Sequence, residues 1–142
     1  MDAAWPRSSG EAIHTSTFLG HPVGCAMALA QIGEIEVRKL IERGRSLGSY
    51  LLKKLTALRI PQPTLGSCRG LGLLAGLELR NPDGSPATKV AQQIIKAMLQ
   101  RGFILLPEGE HANIISFTPP LTVTQGQLEN ALDMLADVLH HE

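Results

Sequence analysis

Four breaks decide what this chain can fold into. Ile60-Pro61-Gln62-Pro63, Asn81-Pro82-Asp83-Gly84, Gly102 and Pro119-Pro120 cut it into short pieces. Proline removes a backbone donor and keeps the residue before it out of the helical region, and Asn-Pro-Asp-Gly is turn chemistry. No long helix or long strand survives such punctuation. The pieces must pack on one another as a small mixed domain, and 142 residues bury about two-thirds of their unfolded surface in one domain.

Within the pieces, periodicity assigns the elements. Pro22 suits a first helical turn, where its missing N–H costs nothing. Val23 to Ile35 is apolar nearly all round, which predicts a buried helix. Gly33 weakens it near its end. A second helix is expected from Val37 to Leu58, with Leu40, Leu47, Leu51, Leu55 and Leu58 on one stripe. Gly70 to Leu79 is apolar but too short and glycine-rich for a buried helix, so it reads as a strand. Ala87 to Arg101 is helical and Gly102 stops it. Strands are expected at Phe103–Leu106 and Asn113–Thr118. Thr124 and Gln127 form a capping box ahead of a last helix that carries Leu128, Ala131, Leu132, Leu135 and Leu139. The expected order is two helices, then β-α-β-β-α. The class is α+β, a small sheet with helices on one face.

Composition excludes several functions. Formal net charge is +0 and aromatics are 4%, so neither a field nor stacking platforms favour nucleic acid. No apolar run is long enough to cross a membrane, and residues 1–12 lack a signal-peptide core. A cytoplasmic protein is expected. Cys25 and Cys68 match no metal spacing and are expected to be buried, reduced thiols. His140-His141-Glu142 is too short a tail for a metal site. His111 is expected in a solvated loop. Glu78, at the end of a strand, can pair with Arg80 or Arg69.

The chemistry concentrates ahead of the first helix. His14 to Cys25 reads HTSTFLGHPVGC, with three hydroxyls in a row at Thr15, Ser16 and Thr17. A helix N-terminus attracts anions, and hydroxyls there can donate to a phosphate. The same residues also cap helices. Chemistry alone leaves both readings open.

HTSTFLGHP followed by an Ala-rich helix resembles the phosphate-binding segment of the class III aminotransferases, pyridoxal phosphate (PLP) enzymes of fold type I. CRGLGLLAGLEL (68–79) and RGFILLPEGEHANIISFTPPLTVTQGQLENAL (101–132) resemble two further stretches of that family, in the same order. The resemblance spans most of Glu11 to Leu139. It implies that Thr17, with Ser16, binds the PLP phosphate across a dimer interface, in a site formed mainly by the other subunit. His14 would support the loop. It implies an end of the large PLP-binding domain and a linker helix at 1–35, and the C-terminal small domain at 36–142. It further implies ping-pong amino transfer from an amine or amino acid to a keto acid or aldehyde.

In that family the Schiff-base lysine and the aspartate that holds the pyridinium nitrogen precede the phosphate segment. The five lysines here, Lys39, Lys53, Lys54, Lys89 and Lys96, all fall in or beside charged helical stretches, as solvated lysines do. The chain therefore reads as a C-terminal portion that holds no catalytic residue and is inactive alone. Many relatives that act on α-amino acids carry an arginine where this chain has Ser116, and a serine cannot fork onto a carboxylate. Arg69 and Arg101 do not occupy that motif position. Two other readings remain: a stand-alone α+β ligand-binding or regulatory module, and a non-catalytic subunit that completes a partner's site.

Overall fold

The computed structural model describes residues 20–141. Their order is α1 (Pro22–Val37), α2 (Leu40–Thr56), β1 (Leu65–Leu71), β2 (Leu74–Arg80), α3 (Thr88–Gln100), β3 (Leu106–Glu108), β4 (Ile114–Phe117) and α4 (Gln125–His141). Two units part between Arg38 and Lys39. At the break, the Arg38 amide closes α1 onto the Glu34 carbonyl at 3.1 Å, and Lys39 turns left-handed with φ 49°.

In the first unit, α1 begins at Pro22 as expected. No residue of α1 is buried, and Val23, Met27, Leu29 and Ile32 are each more than half exposed. This corrects the expectation of a buried helix. A helix that is apolar all round needs neighbours all round, and no described residue of its own unit supplies them.

In the second unit, α2 buries Leu40, Leu47, Leu51 and Leu55, and Leu58 packs against the core just past the helix end. The stripe is the predicted one. Gly44 and Gly48 share that face at helical spacing. Gly48 is held to glycine by contact: a Cβ there would lie 2.1 Å from the Gly72 carbonyl oxygen.

The sheet has four antiparallel strands in the order β1-β2-β4-β3. One strand more is present than the sequence predicts. The run read as a single strand is a hairpin that turns at Gly72-Leu73, with Leu71 opposite Leu74 and Gly72 at φ 56°. β3 also falls later than expected. Phe103 and Leu105 pack against the core as a connector, and pairing begins at Leu106.

β2 alternates strictly. Ala75, Leu77 and Leu79 face the helices, while Gly76 and Glu78 face away. The core joins that face and Ile115 and Phe117 of β4 to Leu51 and Leu55 of α2, Ala91, Ile94 and Met98 of α3, and Leu128, Leu132, Leu135 and Val138 of α4. Each fully buried Leu or Ile contributes about 1.5–3 kcal/mol. The class is α+β with helices on one sheet face, as predicted. The capping box also forms: the Gln127 amide donates to Thr124 Oγ1 at 3.2 Å, and the Thr124 amide donates to Gln127 Oε1 at 2.9 Å. Among the described residues no helix is long and apolar enough to cross a membrane.

Candidate active-site segments

The residues expected to bind phosphate, Thr17 and Ser16, lie outside the described residues, as does His14. The helix that follows them is described. Its N-cap is His21, whose Nδ1 accepts from the Gly24 amide at 3.3 Å. None of Thr15, Ser16 and Thr17 therefore occupies the cap position of α1. The hydroxyl row stands ahead of a helix that is already capped by another side chain.

The titratable groups of the described residues are mostly solvated. All five lysines are exposed. Lys54 Nζ lies 5.6 Å from the centre of the Tyr50 ring. No group of three or more His, Cys, Asp or Glu side chains that could hold a metal ion occurs among the described residues. His111 is exposed in the β3–β4 loop, as expected, and its carbonyl accepts the Thr88 hydroxyl. The cysteines depart from expectation. Both are free thiols, but Cys25 is exposed on α1 and Cys68 is only half-buried on β1. Partial burial pushes the Cys68 thiol above its ordinary pKa, which keeps it protonated and unreactive.

The face of the sheet turned away from the helices carries the polar groups. Register places Arg69, Gly76, Ser116 and Leu106 in one row across β1, β2, β4 and β3. The next row holds Ser67, Glu78, Ile114 and Glu108. Glu78 takes two cations. Its Oε2 accepts from Arg69 Nη1, and its Oε1 lies 2.6 Å from Arg80 Nη2. The Arg69 hydrogen bond is the main cause that holds the Glu78 carboxyl below the usual carboxylate range. Beside this cluster a groove of about 490 Å³ runs along the face, lined by Arg69, Gly76, Glu108, Ile114, Ser116 and Thr118 among others. A second groove, of about 540 Å³, is mainly apolar. Ile41 and Gly44 of α2, Leu71 and Leu74 of the hairpin, and Pro119 and Leu121 form its walls.

Sequence position alone set Arg69 aside. Only the register shows that it shares a row with Ser116, because the hairpin between them is not visible as periodicity. The arrangement offers donors beside apolar walls, which is a recognition surface.

Comparison with known proteins gives this face a context. The sequence matches the family described as Aminotransferase class-III over residues 2–139. It is 34% identical over 139 residues to a 5-aminovalerate aminotransferase of Pseudomonas aeruginosa, covering 96% of this chain and 32% of that protein. It is 36% identical over 124 residues to a 4-aminobutyrate aminotransferase of Mycobacterium tuberculosis, covering 87% of this chain and 28% of that one. The fold is similar to a solved Bacillus anthracis aminotransferase, with a TM-score of 0.82 at 30% identity, covering 96% of this chain and 32% of that one. The chain thus spans about a third of the length of the curated relatives it matches.

Proposed function

The chain belongs to the class III aminotransferases, a PLP-dependent family, and from that premise we propose that it supplies the C-terminal part of an amino-transfer site without the lysine that carries the cofactor. PLP, where it is bound, supplies the electron sink for the chemistry at the amine-bearing carbon. This chain's share is binding and support. Thr17 and Ser16 donate to the cofactor's phosphate, ahead of the positive end of α1. Residues 1–35 end a large domain and form a linker helix, and 36–142 form the small domain. The working unit is a dimer, with a second copy or a longer partner subunit across the cofactor. The substrates are an amine or amino acid and a keto acid or aldehyde. The named relatives act on 5-aminovalerate and 4-aminobutyrate, so ω-amino acids are the first donors to try.

One observation carries the proposal: every lysine of the chain is exposed. A lysine that serves as a nucleophile is desolvated or set beside another cation, so that its amine is free near neutral pH. None of the five is desolvated. Among the described residues no lysine is withdrawn from solvent as an attachment point for PLP would be, so no reaction step is assigned to them.

The test is a PLP titration of the purified chain, followed by absorbance, borohydride reduction and intact mass. The expected result is no stoichiometric adduct. One reduced adduct on a single lysine, prevented by prior addition of an amine donor, would refute the proposal. A complementary arm mixes the chain with the lysine-bearing N-terminal two-thirds of a class III relative. Transaminase activity should appear and should fall at least about tenfold with Thr17→Ala.

A further inference from the structure

We propose that two copies of this chain pair through β1, antiparallel and centred on Cys68, to make one continuous sheet. β1 and β3 are the edges of the four-stranded sheet. β3 has three residues, among them Pro107 and Glu108, and a short edge with proline and a charge resists pairing. β1 has seven residues and neither proline nor lysine. One open edge and one blunted edge allow a closed pair and no endless stack.

The backbone of β1 is arranged for that pair. Leu71 and Leu74 close a two-residue turn, so they exchange hydrogen bonds, and bonding to β2 alternates along the strand from there. Leu65, Ser67, Arg69 and Leu71 turn their N–H and C=O groups toward β2. Gly66, Cys68 and Gly70 turn theirs away, and these groups bond to no described residue. Gly66 and Gly70 are exposed and carry only backbone, so a second strand has room at the ordinary spacing of about 4.8 Å. The outward groups are symmetric about Cys68. An antiparallel second copy sets Gly66 against Gly70, Cys68 against Cys68 and Gly70 against Gly66, and every outward N–H meets a C=O.

The side chains fit the same register. On the outer face Leu65 meets Leu71 of the second copy at each end of the seam, and the two are 51% and 87% exposed in the single chain. Arg69 meets Ser67 of the second copy, and behind that serine stands the Glu78 that it faces in its own sheet. Each Arg69 therefore has a carboxylate of the second copy in its row, two strand spacings or about 10 Å away between Cα atoms. A shift of two residues either way sets Arg69 against Leu65 or against Arg69, and both matches are lost. The pairing needs neither PLP nor Thr17, so it stands apart from the function proposed above.

The test is amide hydrogen exchange of the purified full chain, followed by NMR over a concentration series. Protection of the Gly66, Cys68 and Gly70 amides should rise with concentration by at least about tenfold. The amides of Ser67 and Arg69, already bonded to β2, should change less. In a mixture of labelled and unlabelled chains, a contact between copies should join the α-protons of Ser67 and Arg69, which face each other as a close, non-hydrogen-bonded pair. Ser67→Lys sets a cation opposite Arg69 of the second copy but also opposite its own Glu78, so the fold is kept and pairing should weaken about tenfold. Cys68→Pro removes an outward N–H and no bond to β2, and should abolish pairing. Ile41→Lys, in the apolar groove and off the strand, should leave it unchanged. Protection of the three amides that ignores concentration, or pairing untouched by Ser67→Lys, would overturn the proposal. Protection in a chain that sediments as a monomer would overturn the second copy as the occupant, in favour of another segment of the same chain. A mass that climbs past the dimer in Ile41→Lys would overturn the closed pair.

Discussion

Glu78 shows what one side chain can be asked. It was expected to pair with Arg80 or Arg69 and pairs with both. All three lie on the outer face, with Arg69 opposite Gly76, two residues from Glu78, and Arg80 two residues beyond it. Because its folded pKa is depressed, the carboxylate stabilises the fold above the unfolded glutamate value of about 4.3. That contribution is lost as pH falls through the lower folded value. Both arginines are half-exposed or more, so its size is under about 1 kcal/mol. Urea denaturation should show Glu78→Gln less stable than the parent at pH 7, with the difference shrinking as pH falls below the ordinary glutamate range. Thr124 tests the same scale at a helix end. Thr124→Ala removes the acceptor for the Gln127 amide and should lower stability by about 1 kcal/mol. The capping box was legible because its partners are three residues apart. The shared Glu78 was not, because its partners depend on strand register.

At the level of elements, glycine means different things at different places. Gly48 of α2 faces the Gly72 turn so closely that an added Cβ would strike backbone. Gly48→Ala should therefore lower stability by about 1–3 kcal/mol or more. Gly126 of α4 faces open space, and Gly126→Ala should raise stability by up to about 1 kcal/mol. Equal effects in a denaturant series would mean that α2 does not seat against the hairpin. The sequence suggested that the glycines of Gly70–Leu79 mark close packing, and Gly48 is the other half of that contact. It did not reveal the hairpin. β1 is exposed at six of its seven residues, so it has no apolar alternation to read, and Gly72 breaks a run that looks continuous.

Across the whole chain, the exposed apolar surface is the main unbalanced quantity. α1 has no buried residue. In the second unit, Ile41, Leu71, Leu74 and Leu121 line one apolar groove, and the first three are more than half exposed. Contiguous apolar patches on a protein surface are interaction sites or aggregation sites. The chain alone should self-associate in sedimentation velocity, with mass rising with concentration. Leu71→Lys with Leu74→Lys should shift it toward monomer. A monodisperse monomer at all concentrations would show that these surfaces are satisfied some other way.

The sequence by itself determined the α+β class, the two leading helices, the leucine stripe of α2, the final capped helix and the family. These rest on local spacing and on motifs read along the chain. Tertiary structure alone decided the fourth strand, the place of β3, the exposure of Cys25 and of α1, and the row that aligns Arg69 with Ser116 across Gly76. Each of these depends on which residues meet across strands or between elements. Pairing of that kind joins positions such as Arg69 and Ser116, far apart in the chain, and no periodicity within a segment records it.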